Sequence, residues 1–206
     1  MVNPHFFGKI PPAPRNREPV FITVGSLSAQ RKNHKLLIEA LQTIYNEGYR
    51  NFSVIIVGEG ELGEIPGHLS PFLHVAGRLD FPSMYAAMER ADYFLPLLDP
   101  GNPAHDRYIT TGITGSALLI YGFAKIPVIH EKFASFYGFN DRNALLYGEE
   151  TLGGAMLHAI RQTEEEYAEM QQALLQLGRD IDRESRSNLK RALPSCSPSE
   201  PQQSRQ

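Results

Sequence analysis

Six consecutive residues, Phe52 to Val57 (FSVIIV), constrain this chain more than any other stretch. The run has the length of a strand and is too uniformly apolar for a hairpin with one wet face. Strands of this kind are covered on both faces, as in a parallel sheet. A parallel sheet needs crossovers, and the flanking sequence supplies them. Val20 to Val24 (VFITV) reads as a β-branched strand closed by Gly25. From Lys32 to Asn46, the residues Leu36, Leu37, Ala40, Leu41, Ile44 and Tyr45 recur at helical spacing, and Gly48 follows as a stop. Further strands are expected over 73–76, 93–98, 126–129 and 144–147. Further helices are expected over 83–90, 115–124 and 151–163, then 164–177 with Gly178 as its end. The alternation predicts an α/β fold with a doubly wound, Rossmann-like parallel sheet. In such sheets ligands bind at the carboxyl ends of the strands.

Both ends of the chain read differently. Residues 1–19 carry five prolines and no apolar signal core, and read as an extended linker. Residues 193–206 end in PSCSPSEPQQSRQ, which has nothing to bury and reads as a disordered tail. The folded domain is therefore expected over 20–192. A formal net charge of -3 lacks the basic excess of a nucleic-acid binder, so no nucleic-acid partner is expected. The single cysteine, Cys196, excludes an internal disulfide framework. No apolar run is long enough to span a bilayer. A cytoplasmic location is expected.

Three segments carry candidate chemistry. Gly58, Gly60 and Gly63 form a literal G-x-G-x-x-G after the FSVIIV run. A dinucleotide fingerprint needs a helix next, and the following Pro66, Gly67 and Pro71 oppose one, so a tight strand-to-loop turn is the better reading. Lys32 stands at the start of the first helix, where amides already favour anions; it reads either as a diphosphate-neutralising cation or as a solvated lysine. The segment 110–116 (TTGITGS) runs into the apolar helix SALLIYGFA. Its glycines and hydroxyls suit a phosphate cradle, and equally a simple N-cap at Thr114 or Ser116. The seven histidines show no metal-ligand spacing, so no metal and no cofactor is expected.

Four pieces taken in order resemble a known pattern: ITVGSLSAQRKNHKLLIEAL, FSVIIVGEGEL, LHVAGRLDFPSMYAAMERADYFLPLL and GSALLIYGFAKIPVI. The chain is similar to the C-terminal, nucleotide-sugar-binding half of GT-B glycosyltransferases of the group 1 (family 4-like) branch, over about residues 20–163. The resemblance implies hexosyltransferase-like transfer from a nucleoside diphosphate sugar to a glycan or lipid-linked acceptor, in surface polysaccharide or lipopolysaccharide assembly. It implies Lys32 as the catalytic cation on the donor diphosphate. It implies substrate contacts from Gly25 and Ser26, from Arg78 and Leu79 in the turn that reads the nucleobase, and from Thr114, Gly115 and Ser116 at the phosphates. A second, N-terminal GT-B domain or partner subunit is implied as the other half of the cleft. Peripheral association of the full enzyme with a membrane is compatible with the family.

The sequence departs from the family in three places. Ser26 stands where the family has an arginine. The family's two glutamates fall at Gly112 and Ile120. The loop DPGNPAHDRYITT is longer than usual, and Asp99, Asp106, Arg107 or Tyr108 are the side chains there able to substitute. These departures keep open two alternatives, a non-catalytic GT-B-like interaction module and a GT-B-type sugar-nucleotide epimerase.

Overall fold

The computed structural model describes residues 12–26, 32–60, 62–110, 112, 114–148 and 151–193. Six parallel strands form one sheet in the order β3-β2-β1-β4-β5-β6, with β1 at Val20–Val24, β2 at Ser53–Val57, β3 at Leu73–Gly77, β4 at Tyr93–Phe94, β5 at Ile126–His130 and β6 at Leu145–Tyr147. The helices are α1 (His34–Asn46), α2 (Phe81–Arg90), α3 (Gly115–Phe123), α4 (Glu131–Ala134), α5 (Leu152–Arg161) and α6 (Glu164–Ala192). The expected doubly wound α/β architecture is what the chain adopts.

Alternating side chains of the strands feed two cores. Phe21, Val54, Ile56, Tyr93 and Val128 point to one face and pack with α1 and α5. Ile22, Ile55, Val57, Phe94 and Ile129 point to the other, where α2, α3 and Leu174 of α6 cover them. This two-sided burial is why FSVIIV has no polar alternation. The crossover after β1 runs through α1 on the first face to β2. The crossover after β4 runs through α3 on the second face to β5. The chain thus departs in opposite directions from β1 and β4, which are neighbours, and a crevice opens at their carboxyl ends.

Three elements differ from the sequence expectation. The fourth strand pairs only over Tyr93–Phe94. Leu95 still donates its N–H to Ile22 at 2.8 Å, but Pro96 has no N–H to give and Leu97 turns the chain with φ at 54°. Thr163 does not close a helix. It opens α6 in a capping box with Glu166. Gly178 does not end that helix, which continues for 29 residues in all. Pairs four apart, Gln176 with Asp180 and Arg186 with Asp182, support the continuation. A Cβ on Gly178 would meet only Tyr121, at 3.9–4.0 Å, an ordinary contact. Gly178→Ala is therefore expected to stabilise the fold by about 0.5–1 kcal/mol, read as a rise in the urea midpoint.

The segment before β1 is bound down at the opposite edge of the sheet. Asp92 is 1% exposed and accepts from the Asn16 N–H at 2.9 Å, the Asn16 amide at 3.0 Å and the Val20 N–H at 2.8 Å. Arg15 donates to the Ala159 carbonyl at 3.2 Å, and Gln171 donates to that of Ala13 at 3.3 Å. Among the described residues no helix is long and apolar enough to cross a membrane. The tail 194–206 and its Cys196 lie outside the described residues.

Candidate functional site

Three glycines close the first three strands. The Gly25 N–H donates to Val57 at 2.9 Å, and the Gly58 N–H donates to Gly77 at 2.8 Å. Gly58 has φ at 151°, and a Cβ there would run into the Gly25 carbonyl. The first glycine of the G-x-G-x-x-G motif is thus required by the packing of two loops. No α-helix follows it before β3 among the described residues. The chain reaches β3 through a turn and a short 3-10 helix at Ser70–Phe72.

Lys32 lies at the crevice between β1 and β4. It is not the solvated lysine that residue type alone suggests: it is only 4% exposed. Its Nζ crosses to the β4 side and donates to the Pro96 carbonyl at 3.0 Å. No carboxylate lies within ion-pair distance of it among the described residues. Burial without a counter-charge pushes the ammonium down to about 7. The methylene stem rests against Gly25, where a Cβ would stand 3.3 Å from Cε. Gly25 and Lys32 are therefore neighbours at the end of β1.

The next two residues secure this arrangement. Asn33 caps α1 by accepting from Leu36 at 3.0 Å, sends its N–H to Leu97 at 3.0 Å, and donates its amide to Asp99 at 2.8 Å. His34 is buried, and both desolvation and the neighbouring Lys32 push its imidazole below the ordinary range, towards the neutral form. Its Nε2 has no hydrogen-bond partner among the described residues. Sequence reasoning missed Asn33 and His34. The Asn33 signal was present, since asparagine immediately before an apolar-periodic run is a helix cap.

In the crossover from β4 to β5, Thr114 caps α3 by accepting from Ala117 at 3.0 Å, with its hydroxyl 3.2 Å from that of Ser116. The N-cap reading of Thr114 is therefore correct. It does not compete with a phosphate role, because the N–H groups of Gly115 and Ser116 belong to the helix start and lack intrahelical acceptors. Gly115 is exposed, and a Cβ there would meet nothing within 4 Å. The start of α3 is an open, amide-lined surface with the positive end of the helix behind it.

The remaining expected contacts spread along the same edge. Ser26 is exposed beside Gly25. Arg78 and Leu79 follow Gly77 at the end of β3, two strands from β1, or about 10 Å at the usual strand spacing. Leu79 is half-buried, while Arg78 is exposed and pairs loosely with Glu59 at 3.4 Å. Ile120 is fully buried in the second core and Gly112 lies against Arg107, so neither family glutamate position presents an oxygen. Among the suggested substitutes, Arg107 is turned onto the Tyr108 ring and Asp106 pairs with Lys132 at 3.2 Å. Asp99 alone of the four is tied to the β1–α1 side, through Asn33. No cluster of three metal-ligating side chains occurs among the described residues.

Residues 18–133 match the family described as "Glycosyl transferases group 1", which is more than half of the chain. The chain belongs to this family. Several solved structures share its fold. TarM is 16% identical, with 90% of this chain covering 36% of TarM at a TM-score of 0.61. The pneumococcal O-GlcNAc transferase GtfA, in complex with UDP and GlcNAc, is 15% identical, with 86% of this chain covering 35% of it at 0.61. The chain thus spans about a third of the length of either protein. The C-terminal domain of LpcC, a group 1 glycosyl transferase family protein from Francisella tularensis, is 14% identical, with 82% of this chain covering 93% of that domain at 0.59. The fold is that of a GT-B C-terminal domain. A search of curated protein sequences finds no match.

Proposed function

We propose that this chain is the donor-binding domain of a glycosyltransferase that uses a nucleoside diphosphate sugar. The observation that carries the reading is the uncompensated Lys32 amine, held in the switch-point crevice that the start of α3 also flanks. As the glycosidic bond breaks, negative charge grows on the leaving diphosphate. Lys32 has three donors, of which Pro96 takes one, and the remaining two are available to that charge. The Gly115 and Ser116 amides would supply fixed dipoles, and hydrogen bonds to an ionised acceptor are the strong ones. In this scheme Lys32 and α3 provide the positive potential without a metal. The turn at Gly77, Arg78 and Leu79, two strands from β1, would take the nucleobase.

The acceptor, a glycan or lipid-linked saccharide of surface polysaccharide or lipopolysaccharide assembly, would approach from a second GT-B domain across the cytoplasmic cleft. Positioning donor and acceptor together supplies the remainder of the acceleration. One observation favours a second reading. Gly112 and Ile120 leave the ribose and sugar hydroxyls without the family's carboxylates, as expected of a non-catalytic module that binds donor without turnover.

Amide shift mapping with UDP, GDP, dTDP and CMP sugars tests the binding role. The expected result is a response to one base at Gly25, Arg78, Leu79, Gly115 and Ser116. Shifts confined to other surfaces would refute the proposal. If the mapped response is present, release of free nucleotide in an acceptor-supplemented assay separates the transferase from the silent module.

A further inference from the structure

A partly enclosed cavity of about 260 Å³ lies between α1 and α5, beneath the ends of β5 and β6. It is not the diphosphate crevice, although Asp99 borders both. Its apolar part comes from Leu36, Ala40 and Leu152 together with the Tyr147 ring. Its polar part comes mainly from Asp99, Glu39 and His130. The helices are close here because Gly153 packs directly against Thr43, where a Cβ would stand 2.8 Å from the threonine Cβ. The cavity is therefore bounded on that side by backbone.

The protonation of its walls is legible from the hydrogen bonds. His130 Nδ1 accepts from the Lys132 N–H at 3.1 Å, so the proton of the neutral ring sits on Nε2, the remaining donor. Burial favours this neutral form. The Asp99 oxygens accept from Gly101 at 2.7 Å and from the Asn33 amide at 2.8 Å, and each oxygen keeps a second lone pair. Glu39 faces Lys35 at 3.8 Å.

These features define the occupant. An anion is repelled by two carboxylates and meets no cationic side chain among the described residues of the wall. A small ammonium would meet the two carboxylates but offers no acceptor to the His130 Nε2 donor and no C–H face to Leu36, Leu152 and Tyr147. A purely apolar molecule would strand Asp99 and the His130 donor. A ring with several hydroxyl donors, some acceptor oxygens and an apolar C–H face fits all of them, because the hydroxyls meet the carboxylates and the C–H face meets Tyr147 and the leucines. The volume falls just below the range of about 300–1,000 Å³ usual for drug-sized ligands, which limits it to a single ring. We infer that this cavity is a binding site for one neutral monosaccharide ring, separate from the nucleotide crevice and independent of whether a nucleotide binds there.

The test uses saturation-transfer NMR and amide shift mapping on the chain, with the methyl glycosides of glucose, galactose and N-acetylglucosamine as probes and glucosamine as the cationic comparison. At least one neutral glycoside should bind with Kd of about 1–10 mM and shift the amides of Gly148, Leu152 and Gly153. Leu36→Phe, which fills the cavity, and Glu39→Gln, which removes one charge at an exposed position, should each weaken it by about tenfold or more. Glu39→Gln leaves the core untouched and decides the matter if Leu36→Phe fails to fold. Any of three results overturns the inference: no shift at those amides, binding of glucosamine alone, or binding unaffected by either substitution. Nucleotide shifts at Gly25 and Gly115, recorded in the same samples, report separately on the donor site.

Discussion

Lys32→Met should make the fold more stable at neutral pH while weakening its hold on a nucleoside diphosphate. Both effects come from one fact, the buried amine facing a neutral carbonyl. The folded ammonium titrates near 7, against 10.5 in the unfolded chain. Between those values the unfolded state carries the extra proton, so this group makes stability rise with pH. Its destabilising effect is complete below about pH 7, fades through that window and is gone above about pH 10.5. Methionine keeps the length of the stem without the charge, so the variant should gain about 2–4 kcal/mol at pH 6.5 and lose the pH-dependent rise. Urea denaturation at pH 6.5 and 9.5 measures both. Anion binding runs the other way. A bound diphosphate raises the lysine, so affinity should be greatest below pH 7 and fall by up to about tenfold per pH unit above it. On this account Lys32 trades stability for anion binding, as expected of a site residue.

Gly58→Ala should have the largest effect on the fold itself. The new methyl would enter the Gly25 carbonyl, and the backbone sits at φ of 151°, where an L side chain is strained. Relief requires β1 and β2 to part at their carboxyl ends, and both strands are central in the sheet. A loss of at least about 4 kcal/mol is expected, with insoluble expression or a collapsed melting transition. Gly63→Ala is the informative contrast. Gly63 also has positive φ, at 74°, but a Cβ there meets nothing within 4 Å, so about 1 kcal/mol is expected. Similar losses at both positions would contradict the packing explanation for the motif.

The strands and most helices were legible because burial on both faces leaves an unbroken apolar run, and burial on one stripe leaves a 3.6-residue period. The fourth strand was read four residues too long because 95–98 is as apolar as a strand. Beyond the Leu95 N–H bonded to Ile22, these residues are buried outside the ladder, since Pro96 and the turned Leu97 take them out of it. Gly178 was read as a stop because a glycine at the end of a periodic stretch commonly is one. Its helix persists through side-chain pairs and contact with α3 that lie too far along the chain to read locally. Around the candidate site, Gly25 was legible as a strand end, Lys32 as a residue before the first helix and Thr114 as a cap of α3. The burial of Lys32 was not, because the Pro96 carbonyl that accepts from it lies 64 residues away. The cavity between α1 and α5 was also invisible, since its walls come from five separate segments.

The central claim is that the β1–β4 crevice holds a nucleoside diphosphate through Lys32. Titration calorimetry with UDP and GDP, on the wild-type chain and Lys32→Met at pH 6.5 and 8.5, tests it most directly. One nucleotide is expected to bind the wild type with Kd of about 0.1–1 mM at pH 6.5 and more weakly at pH 8.5. The methionine variant should bind about 10- to 100-fold more weakly at pH 6.5, as follows from losing a charge-assisted hydrogen bond, and with little pH dependence. Equal affinity of the two proteins at pH 6.5, with the variant correctly folded, would contradict the assignment of Lys32 to the donor diphosphate.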